Sequence, residues 1–234
     1  MQNKTIGLIG GIGWASSAEY YRMINELMVE RMGIAHSARI ILSSLNQFDF
    51  TSRAALASPL LIEDFLVDEV ARLKAAGADF FLLCANGAHR FVPAILPRLG
   101  LPLISIIEAC AQKVEAAQIS RVALLGVKQT MSGHFYHDRL AASGITTLTP
   151  TVAEQNVIHD IIYTELIHNR MTANSRRIFV DIIEKLAQAG AEGVILGCTE
   201  IPLLIDQHHV SIPVFNTNAI HCEAAVAFAF DDSV

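Results

Sequence analysis

The sequence predicts an α/β protein built from two similar doubly wound parallel-sheet domains related by a pseudo-twofold axis. Short β-rich runs alternate with helix-length amphipathic segments along the 234 residues, which is typical of parallel sheets covered by helices on both faces. In addition, AGADFFLLCANGAH at 76–89 recurs as AGAEGVILGCTEIP at 189–202, which indicates a duplicated unit. We therefore expect the active site in the crevice between the two halves, at the carboxyl ends of both sheets.

The alternation assigns each element in order. The predicted strands are Thr5–Ile9, Ala38–Leu45, Phe80–Cys84, Leu103–Ile106, Val122–Leu125, Thr146–Pro150, Val194–Leu196 and Val214–Phe215. The predicted helices are Ala15–Arg31, Leu60–Ala76, Phe91–Arg98, Ile107–Ala117, Met131–Ala142, Glu154–Ile167, Asn174–Ala189 and a final segment from Ala219. Because the last strand and helix are expected to return to the first half, the predicted domains are 1–105 plus 210–234 and 106–209.

Composition narrows the class of function. The chain is 52% hydrophobic and 17% charged, which suits buried parallel strands. No apolar run reaches the roughly 18 residues of a spanning helix, and the N-terminus lacks the features of a signal peptide, so a cytoplasmic protein without a membrane span is predicted. A net charge of −6 without a basic stripe disfavours nucleic acid and favours a small-molecule ligand.

A glycine loop, GGIG, follows the first strand and opens a helix. It does not complete the dinucleotide-binding pattern, because the third small position falls on Ser16 and Asn46 stands where an acidic residue is needed. Two interpretations stay open. The backbone N–H groups of Gly11, Ile12 and Gly13 bind a substrate carboxylate, or the glycines serve only a tight turn.

Two cysteines, Cys84 and Cys198, each stand where a predicted buried strand ends. A thiol at such a place is expected to be partly exposed, with its pKa lowered by the N–H groups of the segment that follows. Polar residues follow each of them, Asn86 after the first and Thr199 and Glu200 after the second. One such cysteine is explained equally well by packing, but a matched pair at the ends of two repeats favours a function.

Racemisation uses both thiols. A redox pair would normally read Cys-x-x-Cys, which is absent, a metal site would want more ligands nearby, and a nucleophilic hydrolase leaves the second cysteine unexplained. In a racemase, one thiolate removes the Cα proton and the opposite thiol delivers a proton to the other face. None of the five lysines sits in a recognisable pyridoxal-phosphate setting, so neither a cofactor nor a metal is expected.

Five motifs carry a resemblance over essentially the whole chain: IGLIGGIGWASSAEYYRMIN, CANGAH, ALLGVKQTM, ILGCTEIPLLI and VFNTNAIH. They resemble the pyridoxal-phosphate-independent aspartate/glutamate racemase superfamily, on its aspartate racemase branch. The resemblance implies two α/β domains, often in a homodimer, with Cys84 and Cys198 as catalytic acid and base. It also implies that Asn86 and Thr199 bind the α-carboxylate or amino group of an amino-acid substrate, and that Glu200 orients the substrate or modulates proton transfer.

Three positions depart from the pattern of that family. Gly87 and Val127 stand where it usually has threonine, and Asn216 stands where it usually has aspartate. The substrate pocket is therefore expected to differ, with Gly87 and Val127 in contact with the substrate, and the preferred amino acid need not be aspartate. Arg53 is a candidate for binding a distal carboxylate, the alternative being a solvated loop arginine.

Other functions are also compatible with the sequence. Related Cα proton-transfer enzymes, such as a hydantoin racemase, a decarboxylase or a cis-trans isomerase, share the same chemistry. A catalytically silent amino-acid-binding protein would keep the ligand site and exchange no α-proton.

Overall fold

The computed structural model describes residues 3–56, 58 and 60–231, and it divides the chain into two compact units. The first unit ends at Ile106 and resumes at His221, and the second runs from Ile107 to Ile220. Each unit contains one four-stranded sheet in which all strand pairs are parallel. The predicted α/β fold with two parallel sheets is confirmed. Within the described residues, no helix is both long enough and apolar enough to span a membrane.

The first unit has the strand order β2-β1-β3-β4. Its strands are β1 Ile6–Gly10, β2 Ile40–Ser44, β3 Phe80–Leu83 and β4 Leu103–Ile104. The helices that follow these strands in the chain are α1 Trp14–Met32, α2 Gln47–Ala54, α3 Leu60–Ala75, α4 Val92–Ile95 and α5 Ile106–Ala116, with 3₁₀ turns at Asn86–Phe91 and Leu96–Arg98.

The second unit repeats this arrangement with the order β6-β5-β7-β8. Its strands are β5 Arg121–Leu125, β6 Thr146–Leu148, β7 Gly193–Leu196 and β8 Val214–Asn216. The helices that follow these strands in the chain are α6 Lys128–Met131, α7 His134–Ala142, α8 Val152–Thr164, α9 Ala173–Gln188 and α10 Thr217–Ala229, with 3₁₀ turns at Leu166–His168, Ile201–Leu203 and Gln207–His209.

The placement of the last strand corrects the sequence prediction. Val214 and Phe215 pair with Val194 and Ile195 of β7, so β8 belongs to the second sheet and does not return to the first. The expected boundary after residue 209 moves to between residues 220 and 221. The physical reason is that β8 completes the second sheet as the repeat requires, because β4 occupies the same place beside β3.

The final helix does return to the first unit from His221 onward, while α5 belongs to the second unit from Ile107 onward. Each unit therefore contains most of the helix that follows, in the chain, the last strand of the other unit. Cys110 on α5 and Cys222 on α10 occupy matching places, six residues after Ile104 and Asn216, the last residues of β4 and β8. Both thiols are fully buried.

Two further helical predictions need correction. The sequence pattern does not predict α2, because Asn46 follows a strand, but its side chain caps this helix by accepting a hydrogen bond from Phe48 N–H at 2.9 Å. The helix predicted over Met131–Ala142 is instead two helices, α6 and α7. It breaks at Gly133, which approaches the Gln129 carbonyl so closely that a Cβ atom would lie 2.3 Å from its oxygen.

The side chains of the central strands alternate between two faces of each sheet, as a pleated strand requires. In β3, Phe80 and Leu82 pack with Cys84 in a cluster that includes Tyr20 of α1 and Cys222 of α10. In β7, Val194 and Leu196 pack with Cys198 against the buried faces of α8 and α9. The strands therefore bring each thiol to the end of a fully buried row of side chains.

The glycine loop contains one position that only glycine can occupy. Gly11 has φ of +80°, and a Cβ atom there would lie 2.1 Å from the Leu45 carbonyl oxygen. We expect Gly11→Ala to lower the free energy of unfolding by about 2–4 kcal/mol, because it adds backbone strain to a clash with main chain.

The matched control is Gly87→Ala, since a Cβ atom at Gly87 meets nothing within 4 Å. It should change the free energy of unfolding by less than about 0.5 kcal/mol. Urea unfolding of both variants measures the difference, and equal stabilities would show that the tight turn at Gly11 is described wrongly.

Candidate active site

Cys84 is the first residue after β3. Its N–H donates to the Ile9 carbonyl of β1 at 2.9 Å, which continues the parallel ladder by one residue. The side chain is 1% exposed, and burial raises the pKa of the Cys84 thiol well above its ordinary value, with a smaller contribution from Cys222. The predicted partial exposure and lowered pKa are therefore wrong for this thiol, because loss of solvent opposes the charged form.

The 3₁₀ turn after Cys84 carries the other candidate residues of the first unit. Asn86 begins the turn and is 3% exposed, whereas Gly87 is half-buried and faces open space at its Cβ position. The departure at Gly87 thus leaves room that a larger side chain would fill.

His89 ties this turn to the start of α5. Its Nδ1–H donates to the Ala85 carbonyl at 3.0 Å, and its Nε2 accepts from Ile106 N–H at 3.3 Å. Since a carbonyl only accepts and an amide only donates, the two bonds fix one neutral tautomer. Burial lowers the pKa of His89 to about 4. His89 therefore shapes the backbone beside Cys84 and carries no charge near pH 7.

A second buried histidine, His221, adjoins the first. Its Nε2–H donates to the Ile104 carbonyl at 2.8 Å, and its Nδ1 accepts from Tyr20 O–H at 2.8 Å. The rings of His89 and His221 meet edge to face, with centroids 6.0 Å apart. Burial, reinforced by His89, lowers the pKa of His221 to about 3. Sequence reasoning missed this role of Tyr20 and His221, although both lie in motifs that carried the family resemblance.

Cys198 lies one residue further beyond its strand than Cys84 does. In the second unit it is Gly197 whose N–H donates to the Leu125 carbonyl of β5, at 2.6 Å. A Cβ atom at Gly197 would lie 2.9 Å from that same oxygen, so glycine permits the close approach. Cys198 follows as the second residue past β7 and is 8% exposed.

The Cys198 thiol donates to a buried carboxyl group. Its Sγ lies 3.0 Å from Glu200 Oε2, which also accepts from Thr199 Oγ1 at 3.0 Å. Burial raises the pKa of Cys198 well above its ordinary value, and the negative charge of Glu200 adds to this. The predicted lowered pKa is thus wrong here too. Burial also raises the pKa of Glu200, against the two hydrogen bonds that it accepts.

The start of α10 holds this segment in place. Asn218 Nδ2 donates to the Thr199 carbonyl at 2.8 Å, and Thr217 Oγ1 donates to the Leu196 carbonyl at 2.8 Å. Asn216 caps the helix, since its Oδ1 accepts from the N–H groups of Asn218 and Ala219 at 3.0 and 3.2 Å. An amide oxygen thus fills the capping role at Asn216, where a carboxylate is usual in the family that the sequence resembles.

The loop after β5 contains Val127, another of the three positions that differ from the usual pattern of the family that the sequence resembles. Val127 precedes α6, is half-buried, and provides no side-chain hydrogen bond to cap that helix. It packs against the same apolar cluster as Cys198. Because valine has no hydroxyl group, it makes this edge of the second sheet more apolar than a threonine would.

The glycine loop after β1 is partly occupied by its own hydrogen bonds. Gly11 N–H donates to Ser17 Oγ at 2.8 Å, so the tight turn alone accounts for Gly11. Ile12 packs on the apolar cluster of α3 and β3, and Gly13 precedes α1 without a side-chain cap. Ser16 Oγ, in the first turn of α1, is buried without a hydrogen-bond partner among the described residues.

Arg53 lies on α2 rather than on a loop. Its Nη1 donates to the Asp49 carbonyl at 3.1 Å, and its guanidinium lies 4.6 Å from the centre of the Phe65 ring. These contacts hold the side chain against its own helix and α3, and they account for its position without a substrate.

Each sheet thus gathers one group of candidates at the carboxyl ends of two adjacent strands. In the first unit, Cys84, Asn86 and Gly87 follow β3, next to the Gly11–Gly13 loop after β1. In the second unit, Cys198, Thr199 and Glu200 follow β7, next to Val127 after β5. Among residues 3–56, 58 and 60–231, no three His, Cys, Asp or Glu side chains are grouped so as to hold a metal ion.

The two buried histidines predict a pH dependence of stability. Their pKa values in the folded state, about 4 and about 3, lie below the ordinary 6.5, so the unfolded chain binds more protons as pH falls. Stability is full above pH 6.5 and should fall by about 1.4 kcal/mol per pH unit per histidine down to those values. Urea unfolding at pH 7, 6 and 5 measures this slope.

The matched variant is His89→Asn, which keeps a donor near Nδ1 and removes one titrating group. The slope of its stability with pH should be smaller than that of the wild type by about 1.4 kcal/mol per pH unit, because the opposite contribution of Glu200, whose pKa is raised, is common to both proteins. An unchanged slope would mean that His89 is not a buried neutral histidine.

The chain matches the family model described as Asp/Glu/Hydantoin racemase over residues 9–225. A protein of Yersinia pestis proposed to be an Asp/Glu racemase has a crystal structure similar to this one, with a TM-score of 0.90 and 37% identity, over 97% of this chain and all of that one. An aspartate racemase homologue from Pyrococcus horikoshii matches with a TM-score of 0.86 and 31% identity, over 97% of this chain and all of that one.

The sequence relatives include a protein that is named as an amino-acid racemase. The broad specificity amino-acid racemase RacX of Bacillus subtilis is 21% identical over 170 residues, which are 69% of this chain and 70% of that protein. These similarities confirm the resemblance found in the sequence and support a racemase, that is, an isomerase. The chain belongs to the Asp/Glu/Hydantoin racemase family.

Proposed function

We propose that the protein is an amino-acid racemase that interconverts L and D enantiomers without a cofactor, with Cys84 and Cys198 as its acid and base. One observation carries the proposal: the two thiols follow corresponding strands, β3 and β7, in two sheets of the same strand order. The two other cysteines also match one another, but both lie within helices and are fully buried. Only the first pair stands at strand ends, where open α/β sheets bind ligands.

The chemistry needs one thiolate and one thiol. The thiolate takes the Cα proton of one enantiomer, and the thiol gives its proton to the opposite face of the same carbon, so the configuration inverts. After a turnover the two sulfur atoms have exchanged protonation states. The proposal requires Cys84 and Cys198 to reach opposite faces of one Cα atom.

The raised pKa of each thiol suits this task. A Cα proton is only weakly acidic, and a base whose conjugate acid has a high pKa removes such a proton with less thermodynamic penalty. The disadvantage is that a smaller fraction of the thiol is ionised before the substrate binds. We infer that the positive ammonium group of the bound substrate offsets part of this cost, because opposite charges favour the ionised sulfur.

Unpaired polar atoms supply contacts for the proposed substrate. Ser16 Oγ in the first unit and Asn218 Oδ1 in the second are buried without a hydrogen-bond partner among the described residues. Such atoms are rare unless a ligand or water satisfies them. We propose that Ser16 and the uncapped N-terminus of α1 meet a carboxylate, with Asn86 and Thr199 adding polar contacts and Asn218 accepting from the ammonium group.

The preferred substrate is proposed to extend beyond aspartate. Gly87 leaves open space at its Cβ position, Val127 contributes an apolar surface, and Arg53 is held on its own helix. These features favour a larger or uncharged side chain over a second carboxylate. The name of the B. subtilis relative, a broad specificity racemase, supports the same expectation. A homodimer and a cytoplasmic location remain predictions.

The test is exchange of the α-proton in deuterated water, followed by NMR. The panel holds D- and L-aspartate, D- and L-glutamate, neutral amino acids and a substituted hydantoin. We expect exchange with inversion for at least one amino acid. Cys84→Ser and Cys198→Ser should each abolish inversion, because a two-base reaction needs both sulfur atoms, while exchange from one enantiomer only survives.

Matched controls separate the site from general effects of losing a thiol. Cys110→Ala and Cys222→Ala remove the other two buried cysteines and should retain inversion. Hydroxylamine, which traps pyridoxal phosphate, should leave the rate unchanged. Exchange of the hydantoin alone would assign a different substrate, and binding of amino acids without any exchange would show a binding protein rather than an enzyme.

A further inference from the structure

Helix α10 carries buried polar side chains on both sides of the boundary between the two units. The boundary lies between Ile220 and His221, inside the helix. Thr217 and Asn218 precede it and His221 follows it, and none of the three is more than 2% exposed. Because buried polar side chains are rarely kept without partners, their hydrogen bonds show what each part of the helix is attached to.

The first turn of α10 is bound to the segment that carries Cys198. Thr217 Oγ1 donates to the Leu196 carbonyl, and Asn218 Nδ2 donates to the Thr199 carbonyl, both at 2.8 Å. In the chain, these two carbonyl groups lie on either side of the cysteine. The start of the helix therefore holds the main chain before and after this thiol.

The next turn of α10 is bound within the first unit. His221 Nε2–H donates to the Ile104 carbonyl and its Nδ1 accepts from Tyr20 O–H, both at 2.8 Å. The neighbouring Cys222 packs in the buried cluster that also contains Cys84. Two successive turns of one helix are thus attached to the two segments that carry the strand-end thiols.

We propose that Tyr20 and His221 are positioning residues for Cys198, because they anchor the turn of α10 that follows the Cys198 contacts. Residues four apart on a helix are neighbours on one face, with Cβ atoms about 5–6 Å apart. Thr217 and His221 stand in this relation, so a shift of the second turn is passed to Thr217 and Asn218 through the hydrogen-bonded main chain of the helix. The bearing of this contact on turnover rests on the proposed racemase function.

Tyr20→Phe tests the proposal, because it removes only the hydroxyl group that donates to His221. The matched control is Lys4→Met at the opposite end of the same helix, where Lys4 Nζ donates to the Asp231 carbonyl at 2.5 Å. Amide hydrogen exchange, followed by peptide mass spectrometry without substrate, is compared for two segments of the second unit. These are residues 197–204, which follow β7, and α8.

We expect Tyr20→Phe to speed exchange in residues 197–204 about tenfold, although the substitution lies in the first unit, and to leave α8 within about twofold. Lys4→Met should leave both segments within about twofold. With the preferred amino acid, kcat/KM for inversion should fall about tenfold or more in Tyr20→Phe, as expected when a reacting group is misplaced, and should be retained in Lys4→Met.

Two variants of His221 distinguish the hydrogen bonds from the volume of the ring. His221→Gln keeps one acceptor and one donor and should restore most of the wild-type protection and activity, whereas His221→Phe should resemble Tyr20→Phe. If Tyr20→Phe fails to fold, the double variant Tyr20→Phe, His221→Phe removes donor and acceptor together, and the same losses are expected.

Unchanged exchange of residues 197–204 in Tyr20→Phe would overturn the proposal, as would an equal increase in α8, which would indicate a general loss of stability. If the wild-type protein exchanges no α-proton with any compound of the panel, the racemase function fails. The exchange measurement needs no substrate, so the dependence of the Cys198 segment on Tyr20 and His221 is still decided.

Discussion

One main-chain hydrogen bond at the end of the third strand of each sheet fixes where the reactive segment begins. Cys84 N–H bonds to the Ile9 carbonyl in the first unit, and Gly197 N–H bonds to the Leu125 carbonyl in the second. The ladder therefore ends on a cysteine in one repeat and on a glycine in the other. This offset of one residue shifts the second thiol past the strand, toward Glu200.

Burial is the largest cause of the pKa shifts of the two thiols and of three titratable side chains near them. It raises the pKa values of Cys84, Cys198 and Glu200, and it lowers those of His89 and His221. In each case the neutral form is favoured, as desolvation requires. The two units differ in what surrounds the thiol, since the neutral His89 binds the Ala85 carbonyl next to Cys84, whereas Cys198 donates a hydrogen bond to the carboxyl group of Glu200.

The sequence predicts the fold well where periodic patterns are strong and poorly where single contacts decide. All eight strands are located correctly, because buried parallel strands such as Phe80–Leu83 are continuous apolar runs. The assignment of β8 to the first sheet is wrong, because a short run such as Val214–Asn216 does not say which strand it pairs with. α2 is missed because its start depends on the cap provided by Asn46.

The candidate site shows the same division. Duplication of a strand end identifies Cys84 and Cys198, and the residues after them, without any structure. The predicted direction of their pKa shift is wrong, because the degree of burial depends on packing by distant segments such as α10. The bond from Gly11 N–H to Ser17 Oγ and the network of Tyr20 and His221 likewise depend on side-chain positions, which no spacing in the sequence reveals.

The proposed racemisation requires both thiols to serve one substrate carbon. A crystal structure of the Cys84→Ser, Cys198→Ser double variant with a bound amino acid tests this most directly, since the substitutions prevent turnover and keep the positions of the reacting atoms. We expect the Oγ atoms of both serines to lie about 3–3.5 Å from the Cα atom of the ligand, on opposite faces of it. A bound amino acid whose reacting carbon lies beside only one of these residues, or beside neither, would contradict it.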